Sequence, residues 1–386
     1  MRRKSFALSM ALVTVLLASS CSKSTTASTT PGGTLAPGAA APGTGGKAIG
    51  FIFVGPKDDF GYNQAAYDGS QEVAKAFTDQ KIVTAENVPE TAEAERTMED
   101  MINKDGAKLI FATSYGHLAA AEAVAKRHPD VVVVHQGGLL KTKANNVGTF
   151  FGTVYEPVYL AGIAAGAATK TKKLGYVVAF PIPQTLNNVN AFELGAQSVN
   201  PDVTTTVVFT SNWCDPAKQA EAAKSLLDQG VDVITQHQDC TKTIIETTEA
   251  AGAFSVGYHA DASKLAPKGW ITGSQWNWGP LYTDITKTVL DGKFVGSKYN
   301  ADYRVGLRTG ENPFVQSPYG SMVDAAAKTK IEDATKKFKA DGSPFTGPVM
   351  AQDGSEKIPS GKTPSYAEVE TMDYLVKGVS GTLPSK

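Results

Sequence analysis

Residues 48–258 alternate short apolar, often β-branched runs with longer segments in which apolar residues recur every three or four positions. The short runs predict strands and the periodic segments predict helices. Strands are predicted at 48–54, 81–88, 108–112, 131–135, 174–179, 203–209, 233–236 and 254–258, and helices at 63–77, 93–104, 117–128, 186–199, 217–229 and 241–251. Regular strand–helix alternation is typical of parallel sheets with helices on both faces. The pattern therefore predicts an α/β protein with two doubly wound parallel-sheet lobes.

Beyond residue 258 the pattern changes, and this change indicates how the lobes connect. A strand at 270–275 and a helix at 281–291 precede less regular strands between 303 and 319, and a helix at 322–341 follows. We expect such additional elements when a chain crosses back from its second lobe into its first. Crossings near 150–155 and 262–269 would make a hinge of several strands. The predicted domains are an N-terminal lobe (47–152 and 270–305), a C-terminal lobe (153–269 and 306–350) and a C-terminal extension (351–386).

The N-terminus has the pattern of a secretory leader. Basic residues occupy positions 2–4, and the apolar run 6–18 is too short to span a membrane. Small residues precede Cys21, so we predict a signal peptide at 1–20 and lipidation of Cys21, which would anchor the protein to a membrane. The alternative is an ordinary secreted protein with a coincidental cysteine, because Ala18 occupies the position where lipoproteins usually have leucine.

Composition and charge narrow the classes of protein further. Residues 21–46 are almost entirely Ser, Thr, Ala, Gly and Pro, which predicts a flexible linker. The formal net charge of −1 becomes −4 when the three basic residues of the leader are removed, which argues against a nucleic-acid partner. If Cys21 is lipidated, Cys214 and Cys240 remain as a pair in an oxidising compartment. We expect them to form a disulfide, because each follows one of two successive strands that should be neighbours; two free thiols are the alternative.

Polar and aromatic residues follow many of the predicted strands. In doubly wound sheets, ligands bind beyond the carboxyl ends of the strands, near helix N-termini. The candidate ligand-binding residues are Asp59, Phe60, Tyr62, Asn63, Tyr115, Asn190, Trp213, Asp239, Asp261 and Trp276. Some of these segments have a simpler explanation. Trp276 could fill the core, and Asp215, close to Trp213, could serve as a helix N-cap and have no role in binding.

An enzyme is a competing interpretation of the same segments. The side chains of His237, Asp239, Cys240 and His259 could form a metal site or a Cys–His pair. None of these residues has the spacing of a zinc protease or a deaminase, however, and a disulfide would use the cysteine. We therefore predict no catalytic residues, no cofactor and no metal. A transcription regulator of similar lobes would need a DNA-binding head where this chain has its leader.

Four segments carry a resemblance to a known family. They are residues 59–63, residues 190–201, Trp213 with the run 215–218, and residues 276–280. Over nearly all of residues 47–292 the chain resembles the basic membrane protein (BMP) family of lipoproteins, the PnrA-like purine nucleoside receptors of ABC transporters. The resemblance implies a type I periplasmic-binding-protein fold, whose two lobes share a three-strand hinge. It also implies an extracytoplasmic, monomeric receptor that delivers its ligand to a membrane permease without chemistry.

The resemblance also bears on the ligand. It implies that Phe60 or Tyr62, Asn63 and Asp261 bind it, and that in nucleoside-binding relatives an aspartate and a lysine hold the ribose. This chain has Trp276 and Trp278 on the corresponding strand and no lysine there, which favours a free purine base such as adenine. Aromatic faces with Asn and Asp side chains suit a planar heterocycle. The alternative functions are a nucleoside- or sugar-binding receptor, a ligand sensor of the same fold and a purine-processing hydrolase.

Overall fold

Two β-sheets covered by helices form two lobes in the computed structural model, which describes residues 35, 38–308, 313–340 and 342–384. The strands are β1 (Ala48–Ile52), β2 (Lys81–Ala85), β3 (Ala107–Ala112), β4 (Val132–Gln136), β5 (Val147–Gly152), β6 (Lys173–Val178), β7 (Thr204–Phe209), β8 (Val233–His237), β9 (Phe254–His259), β10 (Trp270–Trp276), β11 (Asp302–Val305), β12 (Phe314–Gln316), β13 (Val349–Met350), β14 (Glu356–Ile358) and β15 (Val379–Ser380). The helices are α1 (Tyr62–Ala76), α2 (Ala92–Asn103), α3 (Leu118–Arg127), α4 (Tyr155–Ala168), α5 (Pro183–Gln197), α6 (Pro216–Asp228), α7 (Lys242–Ala250), α8 (Gly279–Leu290), α9 (Ala325–Ala340) and α10 (Tyr366–Val369). The predicted α/β class and the two parallel-sheet lobes are confirmed.

The order of the strands defines the lobes. The first sheet has the order β11-β5-β4-β3-β1-β2, and its neighbouring strands are all parallel. The second has the order β12-β10-β9-β8-β6-β7-β15, in which β12 alone runs antiparallel to its neighbour. Both sheets therefore direct the carboxyl ends of their central strands toward one edge, where a doubly wound fold binds ligands.

Aromatic packing fixes the first lobe. The rings of Phe51 and Phe111, on adjacent strands, stack with their centroids 4.5 Å apart. Tyr282 of α8 packs 4.9 Å from Phe111 and 5.6 Å from Phe150. These buried rings attach α8, which follows β10 in the chain, to the sheet of the first lobe.

The crossings between the lobes differ in part from the prediction. The first crossing lies between β5 and α4, within the predicted range 150–155. The second lies at 277–278, because β10 pairs with β9 and so belongs to the second sheet. The predicted crossing at 262–269 is wrong, and so is the placement of residues 270–276 in the first lobe. Residues 262–269 instead connect two parallel strands of the second sheet, a case that the apolar pattern alone does not distinguish from a change of lobe.

Hydrogen bonds hold the crossing segments together as a hinge. The amide of Thr153 donates to the carbonyl of Val305 at 2.8 Å, and the amide of Asn277 donates to the carbonyl of Pro313 at 2.6 Å. The chain leaves the first lobe a last time between β11 and β12, and α9 then packs against α4 in the second lobe.

The predicted linker ends earlier than residue 46. Pro42 and Gly43 are buried, and the amide of Gly43 donates to the carbonyl of Asp130 at 2.9 Å. A Cβ at Gly43 would collide with Val289, so only glycine can lie this close to the first lobe. The signal peptide at 1–20, Cys21 and linker residues 22–34 lie outside the described residues. Within the described part of the chain, no helix combines the length and the apolar character that crossing a membrane requires.

Candidate functional site

A cavity lies between the carboxyl ends of the two sheets, and both lobes contribute to its lining. It encloses about 340 Å³ of empty space, with the open solvent at its mouth included. The lining residues are Val54, Tyr62, Ser114, Tyr115 and Phe151 from the first lobe, and Gln184, Trp213, His237, Asp239 and His259 from the second. The structure thus brings together Tyr62, Tyr115, Trp213 and Asp239 of the predicted site.

Asp59 organises the loop between β1 and α1. Its carboxylate accepts hydrogen bonds from the amides of Gly61 (2.8 Å), Asn63 (3.1 Å) and Gln64 (3.0 Å), so it caps the start of the helix. It also accepts from the side-chain amide of Asn63 at 2.8 Å. Asp59 therefore acts on the site through Asn63, and it does not itself line the cavity.

Asn63 joins the two lobes. Its Oδ1 accepts from the amide of Gly55 at 3.1 Å, which orients the side chain so that Nδ2 donates to other groups. Nδ2 donates to Asp59 in the same lobe and to Asp239 Oδ2 in the other lobe at 3.0 Å. One buried amide thus connects two carboxyl groups across the cleft.

The environment of Asp239 makes its charged form costly. Burial raises the pKa of Asp239 well above its usual range, and the nearby charge of Asp59 raises it further, whereas the bond from Asn63 lowers it. Burial also raises the pKa of Asp59. Because one oxygen of Asp239 binds Asn63, the other is available to a ligand. A carboxyl group of this kind suits a neutral ligand that carries N–H groups.

Two histidines complete the polar part of the lining. Burial lowers the pKa of His237 to about 3 and that of His259 well below its usual range, so both rings are neutral at physiological pH. The side-chain amide nitrogen of Asn188 lies 3.0 Å from His237 Nδ1. The indole N–H of Trp276 donates to His259 Nδ1 at 2.9 Å. Each neutral ring offers hydrogen bonds without charge.

Aromatic rings form much of the remaining wall. Tyr62 of the first lobe lies with its ring centroid 5.1 Å from that of His259. Trp213 packs against Phe180 at 5.1 Å, and its indole N–H points to Glu90 of the opposite lobe at 3.5 Å. These rings can contact the faces of a flat ligand while the polar groups bind its edge.

Several predicted site residues lie elsewhere. Asn190 is buried under the C-terminal segment, where its side chain bonds the carbonyl of Tyr374 and the amide of Val376. Asp261 is exposed and accepts from the amide of Ser263, as in an Asx turn. Both were predicted to bind the ligand, Asp261 also from the family resemblance, but neither lines the cavity. Position after a strand does not determine where a side chain points.

Phe60 and Trp276 also lie outside the lining. Phe60 is 38% exposed at the mouth, with a φ of 53°. Trp276 lies behind His259, with its ring stacked on Trp278 at 4.3 Å. Trp276 is thus a buried core residue, as one explanation had it, and it contacts the cavity residue His259 instead of the ligand.

Some of the lining residues were not predicted to contact the ligand. Ser114, His237 and His259 all follow predicted strands, but the two histidines were considered only as metal or catalytic groups. Their position beside the predicted ligand residues was an available signal. Val54, Phe151 and Gln184 gave no such signal, because apolar strand residues and a glutamine in a first helical turn are common in any α/β protein.

A disulfide joins Cys214 and Cys240, whose Cα atoms lie 5.3 Å apart. The predicted bond is present, but the two strands that precede the cysteines, β7 and β8, are not neighbours as expected. Strand β6 lies between them in the sheet. The two loops instead meet over the end of β6, where the amide of Asp239 donates to the carbonyl of Trp213 at 2.8 Å. The disulfide thus ties together two loops that line the cavity. Among the described residues no cluster of His, Cys, Asp and Glu is arranged to hold a metal ion.

Comparisons with known proteins agree with this architecture. The model of a family described as ABC transporter substrate-binding protein, PnrA-like, matches residues 47–340. A purine-binding protein of Brucella abortus is 37% identical over 337 residues, which cover 87% of this chain and 93% of the relative. An ABC transporter protein of Haloferax volcanii, named as glucose-binding, is 29% identical over 87% of this chain and 81% of its own. A nucleoside-binding ABC transporter protein of Lactococcus lactis is 26% identical over 62% of this chain and 66% of its own.

Solved structures show the same fold. An ABC transporter solute-binding protein from Aeropyrum pernix superposes with a TM-score of 0.67 at 18% identity, covering 79% of this chain and 92% of that structure. A transcriptional activator from Bacillus halodurans gives 0.64 at 23% identity, covering 77% and 99%. The predicted periplasmic-binding-protein fold is therefore confirmed.

Proposed function

Because the chain belongs to the PnrA-like family of ABC transporter substrate-binding proteins, we propose that it captures a free purine base, such as adenine, between its lobes and delivers it to a membrane permease. Members of this family bind a substrate and do not convert it. The observation that carries the proposal is the lining of the cavity, which combines aromatic rings with Asp239, Gln184 and two neutral histidines. A planar, uncharged heterocycle with donors and acceptors along its edge matches this set of groups.

The charge of the lining argues against anionic ligands. None of the described residues that line the cavity is a lysine or an arginine. A phosphate or a carboxylate is usually bound by such a side chain. Nucleotides and amino acids therefore fit less well than an uncharged purine.

The strand after Asp261 favours a base over a nucleoside. In nucleoside-binding relatives the resemblance implies a lysine there that holds the ribose, and β10 of this chain carries Trp276 and no lysine. The similarity to a purine-binding protein supports the purine, and the relative named as glucose-binding makes a sugar the main alternative.

Calorimetry on protein stripped of ligand by reversible unfolding tests the proposal. Adenine should give saturable heat at micromolar concentration or below. Adenosine should bind at least about tenfold more weakly, about 1.4 kcal/mol. Saturable heat with glucose and none with any purine base or nucleoside would overturn the proposal in favour of a sugar receptor.

We also propose that lipid on Cys21 anchors the receptor outside the cytoplasm. The proposal is supported by the basic and apolar leader before Cys21 and by the small residues beside it. Cys21→Ser should release the protein from the membrane fraction without changing ligand binding, and Ser20→Ala, which keeps a small residue before the cysteine, should not. Membrane retention of Cys21→Ser after complete removal of the leader would contradict lipid as the anchor.

A further inference from the structure

We infer that His259, held in a single tautomer by Trp276, selects the ligand by donating a hydrogen bond from Nε2 to an unprotonated ring nitrogen of the base. This inference rests on the proposed purine function and deepens it, because it names the group on the ligand that the site recognises. It also gives Trp276 a positioning role.

The tautomer follows from the hydrogen bond behind the ring. An indole N–H can only donate, so His259 Nδ1, 2.9 Å from Trp276 Nε1, must present its lone pair. A neutral imidazole carries one proton, which then resides on Nε2. An imidazolium would carry a proton on Nδ1 and lose the bond from Trp276, so the same contact also disfavours the charged ring.

The position of Trp276 makes this arrangement rigid. Its ring is stacked on Trp278 at 4.3 Å and packed between Phe151 at 5.2 Å and Phe314 at 4.6 Å. Its strand, β10, pairs with the strand of His259, where Gln275 is the partner of His259. Donor and acceptor thus belong to neighbouring strands of one lobe, and the tautomer is set independently of lobe closure.

The backbone of His259 indicates that its orientation is functional. Its φ of 74° lies in the left-handed region, which is costly for a side chain other than glycine. The residue is nevertheless buried at the cavity wall, beside Tyr62 of the opposite lobe. Among the described residues, no protein group takes a hydrogen bond from His259 Nε2, although the ring lines the cavity. The strained turn therefore places an N–H donor where a ligand would accept it.

The chemistry of the ligand edge follows. His259 supplies a donor, and Asp239 in the same lobe supplies an oxygen that can accept. A ligand satisfies both when a ring nitrogen with a free lone pair lies near an N–H or an amino group. The edges of adenine have this pairing, whereas a sugar hydroxyl can act as donor or acceptor and would not distinguish one tautomer from the other.

Deazaadenines test the inference, because each replaces one ring nitrogen with C–H while keeping the shape. Calorimetry would compare adenine with 1-, 3- and 7-deazaadenine. For the unmodified protein we expect at least one analogue to bind roughly tenfold or more weakly than adenine, since the buried donor would lose its partner. In His259→Phe, that analogue and adenine should bind about equally, and both more weakly than adenine binds the unmodified protein.

Trp276→Phe tests the positioning role, because it keeps an aromatic ring and removes the N–H. Trp278→Phe is the matched control: its stacked indole has a buried nitrogen without a partner in the described structure and does not bond His259. The ¹⁵N chemical shifts of the His259 ring should show a protonated Nε2 in the unmodified protein and in Trp278→Phe. In Trp276→Phe they should show a mixture of tautomers, and discrimination against the deaza analogue should weaken.

The outcomes separate this inference from the proposed function. Equal binding of adenine and all three analogues to the unmodified protein would overturn the inference alone, as would a proton on Nδ1 or unchanged discrimination in His259→Phe. Failure of every purine to bind the unmodified protein would overturn the proposed function and with it the ligand group named here.

Discussion

Asp239 is the residue whose loss should weaken ligand binding most clearly, because it serves both the ligand and the closure of the lobes. Its Oδ2 accepts from Asn63 of the opposite lobe at 3.0 Å, and its carboxyl group lines the cavity. Replacing it with alanine removes an acceptor for the purine. It also leaves one hydrogen of the buried Asn63 amide without a partner when the lobes are closed.

These two losses set the expected magnitude. A buried donor without a partner costs about 1–3 kcal/mol, and a hydrogen bond between neutral groups contributes about 0.5–1.5 kcal/mol. Together they amount to about 1.5–4.5 kcal/mol. Since 1.4 kcal/mol corresponds to a factor of ten, Asp239→Ala should weaken adenine binding roughly 10- to 1,600-fold. Asp239→Asn should lose less, because its single amide oxygen can still accept from Asn63, so that only the acceptor for the ligand is lost.

Titration calorimetry at neutral pH measures the effect, and Asp261→Ala provides the matched control. Asp261 follows the neighbouring strand β9 and is exposed outside the cavity, so its loss should change affinity less than twofold. Thermal unfolding of each variant confirms that the lobes remain folded. Unchanged adenine affinity in Asp239→Ala, or an equal loss in Asp261→Ala, would refute the reasoning.

Three further predictions concern stability and the cavity wall. Burial raises the pKa of Glu193 from 4.5 to about 7, so the folded protein holds a proton that the unfolded chain releases; stability should fall by up to about 3 kcal/mol as pH rises through this window. Urea unfolding at pH 5 and pH 8 should show this fall, and Glu193→Gln should reduce it; an equal fall in the variant would contradict the assignment. Reduction of the Cys214–Cys240 disulfide should cost about 3–4 kcal/mol of stability and weaken adenine binding, whereas a double serine variant should not respond to reductant. Two free thiols in denatured, unreduced protein that lacks Cys21 would exclude the bond. Trp213→Phe should remove most of the tryptophan fluorescence change on adenine binding, because Trp213 is the indole among the lining residues; a full change in the variant would count against this assignment.

The fold was largely predictable, because most elements show one clear hydrophobic period. Helix α1 was expected at 63–77 and runs Tyr62–Ala76, and β1 was expected at 48–54 and runs Ala48–Ile52. Helix α4 was missed, because it is buried on nearly every side and so lacks an apolar stripe. Gly162 explains how it packs so closely: a Cβ there would collide with the carbonyl of Phe192 on α5.

The site was predictable as a region but not in detail. Residues after the strands of both sheets do meet at one cleft, as the topological rule requires. The direction of each side chain depends on local backbone geometry, however, which a sequence pattern does not report. At the end of β9, His259 has a φ of 74° and faces the cavity, whereas Asp261, two residues later, faces solvent. Both the family resemblance and the position after the strand favoured Asp261, whereas His259 lines the cavity.

The contacts across the mouth explain why the ligand and lobe closure should be coupled. Besides the bond between Asn63 and Asp239, the hydroxyl of Thr241 donates to the carbonyl of Phe60 at 2.8 Å. Bonds of this kind contribute only about 1 kcal/mol each, since water competes for the same groups when the lobes open. A ligand that contacts Tyr62 in one lobe and Asp239 in the other adds interactions that exist only when both are in place. It binds the closed form more tightly, and by that difference it shifts the equilibrium toward closure.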